Sequence, residues 1–380
     1  MNLDSILCAE LDALEAASLR RTLRATDAGM LNFAANDYLG LSRHPALIEA
    51  VRQATAQRGA GAGAARLVTG TDTAVLALEK QLAAWKEKEA ALVFSSGYAA
   101  ALGTIPALVG KGDTVILDKL AHASLIDAAR LSGATVRTFP HNDIGRLEAL
   151  LQKISPGKTR ILIVTESIFS MDGDAAPLRE LVELKDRHGA WLLVDEAHAT
   201  GLYGTTGAGL VAEAGLSARV EIVMGTLSKA LGSVGGFIAG SRVLIDWLVN
   251  RARSFIYSTA LPPGVIAASR AAVDLARGPE GTALRERLRE NIIHFHAGLP
   301  TTWKNRTFST SAIQPLICGE ASAALQLAAA LREQGFLIPA IRYPTVPRHA
   351  ARLRITLSAA HVSKDIDALN RALAVVSSRE

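Results

Sequence analysis

The chain has 380 residues, enough for two domains or for one large domain with an appendage, and enough to bury a core without covalent staples. Hydrophobic residues make up 49% and charged residues 20%, and Cys8 and Cys318 fit no metal-ligand or Cys-x-x-Cys spacing, which argues against structural zinc and for a reducing compartment. Net charge is +5 (41 basic minus 36 acidic), but the basic residues are scattered without interleaved aromatics; that speaks against nucleic acid and leaves an anionic small substrate or an acidic carrier protein as the suited partner.

The first stretch, MNLDSILCAELDALEAA, carries acids where a secretory signal would carry bases, and reads as an amphipathic helix. No window approaches about 20 uninterrupted apolar residues, so the expectation is a cytoplasmic protein without a membrane span. LNFAANDYLGLSRHP is compact and turn-rich, and GAGAGAARLVTG (59–70) is a glycine-studded loop. That loop is no dinucleotide fingerprint, because Ala64 stands three after Gly61 and Arg66 three after Gly63; it also has no Gly-Lys-Ser/Thr ending of a P-loop.

From there helix and apolar strand alternate. TAVLALEKQLAAWKEK is helical, EAALVFSSG is a strand entering a turn, and YAAALGTIPALV is a helix. DTVILDK, ATVRTFP, TRILIVTES, AWLLVDEAH and VEIVMGTLSK supply further strands, with helices such as APLRELVELKDRHG between several of them. This alternation predicts an α/β fold with a mostly parallel sheet covered on both faces. Ligands of such sheets sit beyond the carboxyl ends of strands, where Ser96, Gly97, Glu166, Asp195 and Thr226 fall. Past about residue 275, helices surround the strand ARLRITLSA. The expected organisation is a helical segment over 1–40, a large α/β domain over 41–274 and a small α+β domain over 275–380.

Four features carry chemistry. Asp195 ends a buried strand in LLVDEAHATG, with His198 three residues on; by itself the pair reads equally well as a helix cap and a structural histidine. In SSGYAA the backbone N–H groups of Gly97 and Tyr98 open a helix and can cradle a phosphate. Lys229 closes Thr226-Leu227-Ser228-Lys229 among small and apolar residues, without an acidic neighbour in sequence, and His122 follows another strand in DKLAHASLIDA. Together they match the needs of pyridoxal 5'-phosphate (PLP): a Schiff-base lysine, an acid for the pyridinium nitrogen, phosphate donors and a group against the ring. Apolar company would free the lysine amine, and nothing acidic should neutralise it. No metal site is expected.

The stretches NFAANDYLGLSRHP, GAGAARLVTG, FSSGYAA, AHASLIDAARLSGA, FSMDGDAAPL, VDEAHATG, YSTALPP, PTVP and LRITLSAAH occur in one order from about Leu31 to Leu369. In these the chain resembles the α-oxoamine synthases, fold-type I PLP-dependent transferases of the aspartate aminotransferase-like fold. They join an amino acid to an acyl thioester with loss of CO2. The resemblance implies that Lys229 carries the cofactor, Asp195 holds the pyridinium nitrogen and His122 stacks on the ring. His198 and Ser170 would contact the phenolic oxygen, while Gly97, Tyr98 and Thr226 hold the phosphate with Thr259 from a second subunit of a homodimer. Asn36 and Arg354 would bind the amino-acid carboxylate, and Arg20 (with Arg21 adjacent), Arg342 and Thr345 would line the substrate path. FSMDGDAAPL and LRITLSAAH favour L-alanine with a pimeloyl thioester of coenzyme A or acyl carrier protein; glycine or serine with another acyl-CoA is the alternative. A non-catalytic partner subunit is expected to lack the lysine or its aspartate, and this chain keeps both. Two departures stand out: a short segment between Arg21 and Leu31, and Val75 where the family often has a histidine.

Overall fold

Alternating apolar positions build the central sheet of the larger of two compact units, which spans Asn36–Ser170 and Ala175–Glu286. Its seven strands are β1 (Ala90–Phe94), β2 (Thr114–Asp118), β3 (Thr135–Phe139), β4 (Ile161–Glu166), β5 (Trp191–Asp195), β6 (Ile222–Thr226) and β7 (Gly236–Gly240). They lie in the order β1-β7-β6-β5-β4-β2-β3. The five strands from β6 to β3 run parallel, and β7 is antiparallel to both of its neighbours. The computed structural model describes residues 2–26, 29–154, 159–304, 306–307 and 309–377.

Because side chains alternate across a strand, each strand feeds two cores. Leu117, Val164, Leu193 and Met224 join the helices on one face, while Ile116, Ile163, Leu192, Val194 and Val223 join those on the other. Every position of β2, β4 and β6 is buried, as covering by helices on both faces requires, whereas the edge strand β3 exposes three of its five residues. Each fully buried Leu, Ile or Val contributes about 1.5–3 kcal/mol of transfer free energy.

The strand β7, GFIAG, is too glycine-rich to stand out in the sequence, and it sits second in the sheet, between the edge strand β1 and β6. A Cβ added at Gly236 would lie 2.5 Å from the Gly97 nitrogen and 2.5 Å from the Ser96 oxygen. The missing side chain therefore lets β7 press against the start of helix α1 (Gly97–Leu108).

The smaller unit comprises Met1–Ala35, Met171–Asp174 and Arg287–Glu380. An antiparallel sheet orders Ala340–Ile341, Ala351–Thr356 and Ile313–Gly319, and Leu31–Asn32 pairs in parallel with Phe336–Leu337. The insert from the middle of the chain is held by an Arg352–Asp172 pair at 2.6 Å and by the Ser309 hydroxyl, which donates to the Gly173 carbonyl at 3.1 Å. The N-terminal helix, Leu3–Ala16, is capped by Asn2 and buries none of its residues. No helix among the described residues is long and apolar enough to cross a membrane.

Candidate active site

Two neighbouring strands of the larger unit each end in an acid. Glu166 closes β4, Asp195 closes β5, and the two are paired in register. Both are at most 4% exposed. One Asp195 carboxylate oxygen accepts the Ala197 N–H at 2.8 Å. Glu166 accepts the backbone N–H groups of His122 and Ser170, yet its Oε1 has no hydrogen-bond partner. Burial raises the pKa of both acids; the neighbouring Asp195 charge raises Glu166 further, to about 8.

Lys229 lies just beyond β6, with Nζ 2.9 Å from Nε2 of His198. The other ring nitrogen of His198, Nδ1, lies 2.6 Å from the Tyr38 hydroxyl, which in turn donates to Oδ1 of Asn36 at 3.1 Å. No residue next to Lys229 in the sequence is acidic, but acids act on Lys229 across the fold. Its charge lowers the pKa of both Asp195 and Glu166, so two carboxyl groups share its field. They come from separate strands, and only the register of the sheet collects them.

His122 caps helix α2 (Ala123–Leu131): its Nδ1 accepts the Ser124 N–H at 3.2 Å and lies 2.8 Å from the Ser124 hydroxyl. The cap fixes the ring orientation. Solvent reaches part of the ring, but desolvation by the surrounding protein lowers its pKa; Asp195 opposes that shift and Lys229 adds to it. Ser170 is buried and reaches this cluster through its backbone bond to Glu166.

An anion cradle adjoins the cluster. Gly97 begins α1, a 12-residue helix, and the Ser96 hydroxyl caps it by accepting the Ala99 N–H at 3.0 Å. The place a Cβ of Gly97 would take lies 4.0 Å from Oγ1 of Thr226, so the helix start and that hydroxyl are neighbours. Thr226 Oγ1 donates to the Gly235 carbonyl at 2.9 Å and lies 2.7 Å from the Ser228 hydroxyl. The free N–H groups and positive dipole end of α1 suit a phosphate. The Tyr98 phenol is exposed and donates to Asp127 at 2.5 Å.

A buried ion pair supports the turn after Asp195. Lys86 Nζ donates to Glu196 at 2.8 Å, to Thr200 Oγ1 at 2.8 Å and to the Ala208 carbonyl at 2.5 Å. Glu196 Oε1 accepts the Val211 N–H at 2.8 Å. Tyr38, Glu166 and Lys86 received no role from sequence. The position of Glu166 at a strand end was its one visible signal; Tyr38 and Lys86 gave none, because each meets the turn from a distant part of the chain.

Thr259 is exposed and its backbone bridges to Ala65. It lines a cavity of about 600 Å³ together with Arg66, Thr71 and Ser95. The remaining expected residues belong to the smaller unit. Arg354 is buried on the strand Ala351–Thr356, and its Nη1 donates to Thr356 at 2.9 Å. Arg342 donates to the carbonyls of Ser18 and Arg20, and burial followed by the Arg21 charge lowers its pKa. Arg20 lies 3.8 Å from Glu15, and Thr345 is exposed. Among the described residues no group of three or more His, Cys, Asp or Glu could hold a metal ion.

The larger unit thus offers a lysine, an enclosed acid beside it and a helix-start cradle within one cluster, together with a carboxyl oxygen left without a bond. That donor set fits an aromatic phosphate ester with a basic ring nitrogen and a carbonyl open to an amine, the chemistry of PLP.

The comparisons with known proteins agree in kind. The family model described as aminotransferase class I and II matches residues 28–373. The 8-amino-7-oxononanoate synthase of Geobacter metallireducens is 47% identical over 97% of this chain and 96% of its own length. The enzyme of the same name from Alkalilimnicola ehrlichii is 50% identical over 90% of this chain and 87% of its own. Among solved structures, a serine palmitoyltransferase variant from S. paucimobilis with bound PLP and myriocin is 29% identical, has a TM-score of 0.91, and covers 100% of this chain and 99% of its own.

Proposed function

The chain belongs to the class I and II aminotransferase family and, within it, to the 8-amino-7-oxononanoate synthases, and from that premise we propose that it condenses L-alanine with a pimeloyl thioester in biotin biosynthesis. The products are 8-amino-7-oxononanoate, CO2 and the free thiol, and the enzyme is a PLP-dependent acyltransferase of fold type I. The observation that carries the reading is Lys229, 2.9 Å from His198 and in the field of two buried carboxyl groups at strand ends.

When bound, the cofactor supplies an electron sink for the pair of electrons left when the α-proton of alanine departs. We assign Lys229 as the residue that would bind it covalently and whose Nζ would take the α-proton and later return a proton to the product. Asp195, enclosed at the end of β5, would hold the proton on the ring nitrogen, and His198 and Ser170 would bond to the phenolic oxygen. Gly97, Tyr98 and Thr226 would hold the phosphate through the helix start and one hydroxyl, and Thr259 is assigned to the corresponding phosphate in a second copy of the chain. His122, fixed by its cap, would lie against the ring. Asn36 and Arg354 are each assigned to the amino-acid carboxylate, for which a guanidinium fork is well shaped. Arg20, Arg342 and Thr345 are assigned to the thioester, carried by coenzyme A or by acyl carrier protein. We place the enzyme in the cytoplasm as a homodimer.

Borohydride reduction of the PLP-loaded protein followed by peptide mass mapping tests the assignment. The reduced adduct is expected on Lys229, and an adduct on another lysine would remove the basis of the reading.

A further inference from the structure

Tyr38 is 1% exposed, and its hydroxyl sits between Oδ1 of Asn36, at 3.1 Å, and Nδ1 of His198, at 2.6 Å. A phenol has one proton to give. Donated to Asn36, it leaves the phenol oxygen as an acceptor toward His198, so the hydrogen in the 2.6 Å contact is carried by Nδ1. A neutral imidazole has a single N–H. Nε2 is then bare, and it faces Lys229 Nζ at 2.9 Å as an acceptor. The two rings pack edge to face, with centroids 6.0 Å apart and planes at 60°, which holds the imidazole in this orientation.

We propose that Tyr38 is a positioning residue that, in the cofactor-free chain, fixes His198 as its Nδ1–H tautomer, so that Nε2 accepts a hydrogen bond from Lys229 and steadies its ammonium until the cofactor attaches. This rests on the proposed function only in taking Lys229 as the lysine to which the cofactor attaches. The titratable groups that interact with Lys229 through their charge include Asp195 and Glu166 at the strand ends and His122 at the start of α2. Asp195 and Glu166 act on Lys229 through their charge, whereas Tyr38 acts through the position of one hydrogen.

Two measurements test this. The first uses the wild-type chain without cofactor, labelled with 15N in the histidine rings, with the His198 signals identified by their loss in His198→Gln. The expected spectrum has Nδ1 protonated and Nε2 bare; a protonated Nε2 would overturn the proposal. The second follows covalent attachment of PLP to the cofactor-free chain as a function of pH. In that step the unprotonated Nζ bonds to the aldehyde carbon and one water leaves. In Tyr38→Phe, Nδ1–H loses its acceptor, the bare Nε2 is no longer enforced, and the ammonium loses support. The pH midpoint of attachment is expected to fall by about one unit, roughly a tenfold rise in free amine at a given pH below the midpoint. A midpoint that stays or rises would contradict the proposal, and a purely structural role for Tyr38 would lower thermal stability without moving it. If the wild-type chain attaches PLP at another lysine, the cofactor assignment fails while the tautomer result stands; if Tyr38→Phe does not fold, the first measurement decides.

Discussion

Glu166 shows how one unsatisfied atom turns into a pH dependence. Its folded pKa is pushed up to about 8 from the ordinary value of 4.5, chiefly because burial disfavours the anion. The folded chain therefore holds a proton between those values that the unfolded chain has already released. Stability is fully present below about 4.5, is lost as pH rises toward 8, and levels off beyond; the loss is on the order of a few kcal/mol. Glu166→Gln keeps the shape and removes the titration. Urea unfolding of the cofactor-free chain at pH 5 and pH 9 should show a clearly smaller difference for the variant than for the wild type, and equal differences would mean that Glu166 ionises normally. At Asp195 the charge itself matters. Asp195→Asn should fold, because the amide can still accept the Ala197 N–H, but it cannot hold the ring nitrogen protonated. Exchange of the α-proton of alanine with solvent should slow by about two orders of magnitude or more; wild-type exchange would remove that role.

At the scale of elements, the site is assembled by strand ends and helix starts, and this explains what could be read in advance. VDEAHATG and GTLSK each carry a short strand followed by its functional residue, so Asp195, His198 and Lys229 were visible from local pattern. Gly97 was visible because a strand-turn-helix sequence needs a small residue there. The antiparallel β7 was not, since GFIAG has neither length nor alternation, and its place in the sheet depends on Gly236 passing the start of α1. Gly236→Ala should push that helix start away from Thr226. We expect at least a tenfold loss of affinity for pyridoxine 5'-phosphate, a phosphate ester that cannot bond to Lys229, measured by equilibrium dialysis; unchanged affinity would show that the contact does not shape the cradle. The Lys86–Glu196 pair was also illegible, because its two ends lie 110 residues apart in the chain. Lys86→Met leaves Glu196 buried without its cation and should cost about 3–5 kcal/mol in urea unfolding.

At the scale of the whole molecule, composition and alternation were enough for the α/β class, while the order β1-β7-β6-β5-β4-β2-β3 was not, because non-local pairing leaves no trace in a single strand. The same limit hid the assignment of Met171–Asp174 to the smaller unit, since those residues sit inside a motif that otherwise continues β4. Assembly follows from the roles assigned above. If Thr259 serves a second copy, sedimentation should give twice the 40.0 kDa chain mass. Thr259→Ala should then weaken cofactor binding in the dimer, and a monomer with full cofactor affinity would exclude a shared site.

The most direct test of the account is thiol release from pimeloyl-CoA by the PLP-loaded protein, measured with L-alanine, glycine and L-serine in parallel. The account predicts release with alanine well above the other two, and its loss in Lys229→Ala. Preference for glycine or serine, or release that persists without Lys229, would contradict it.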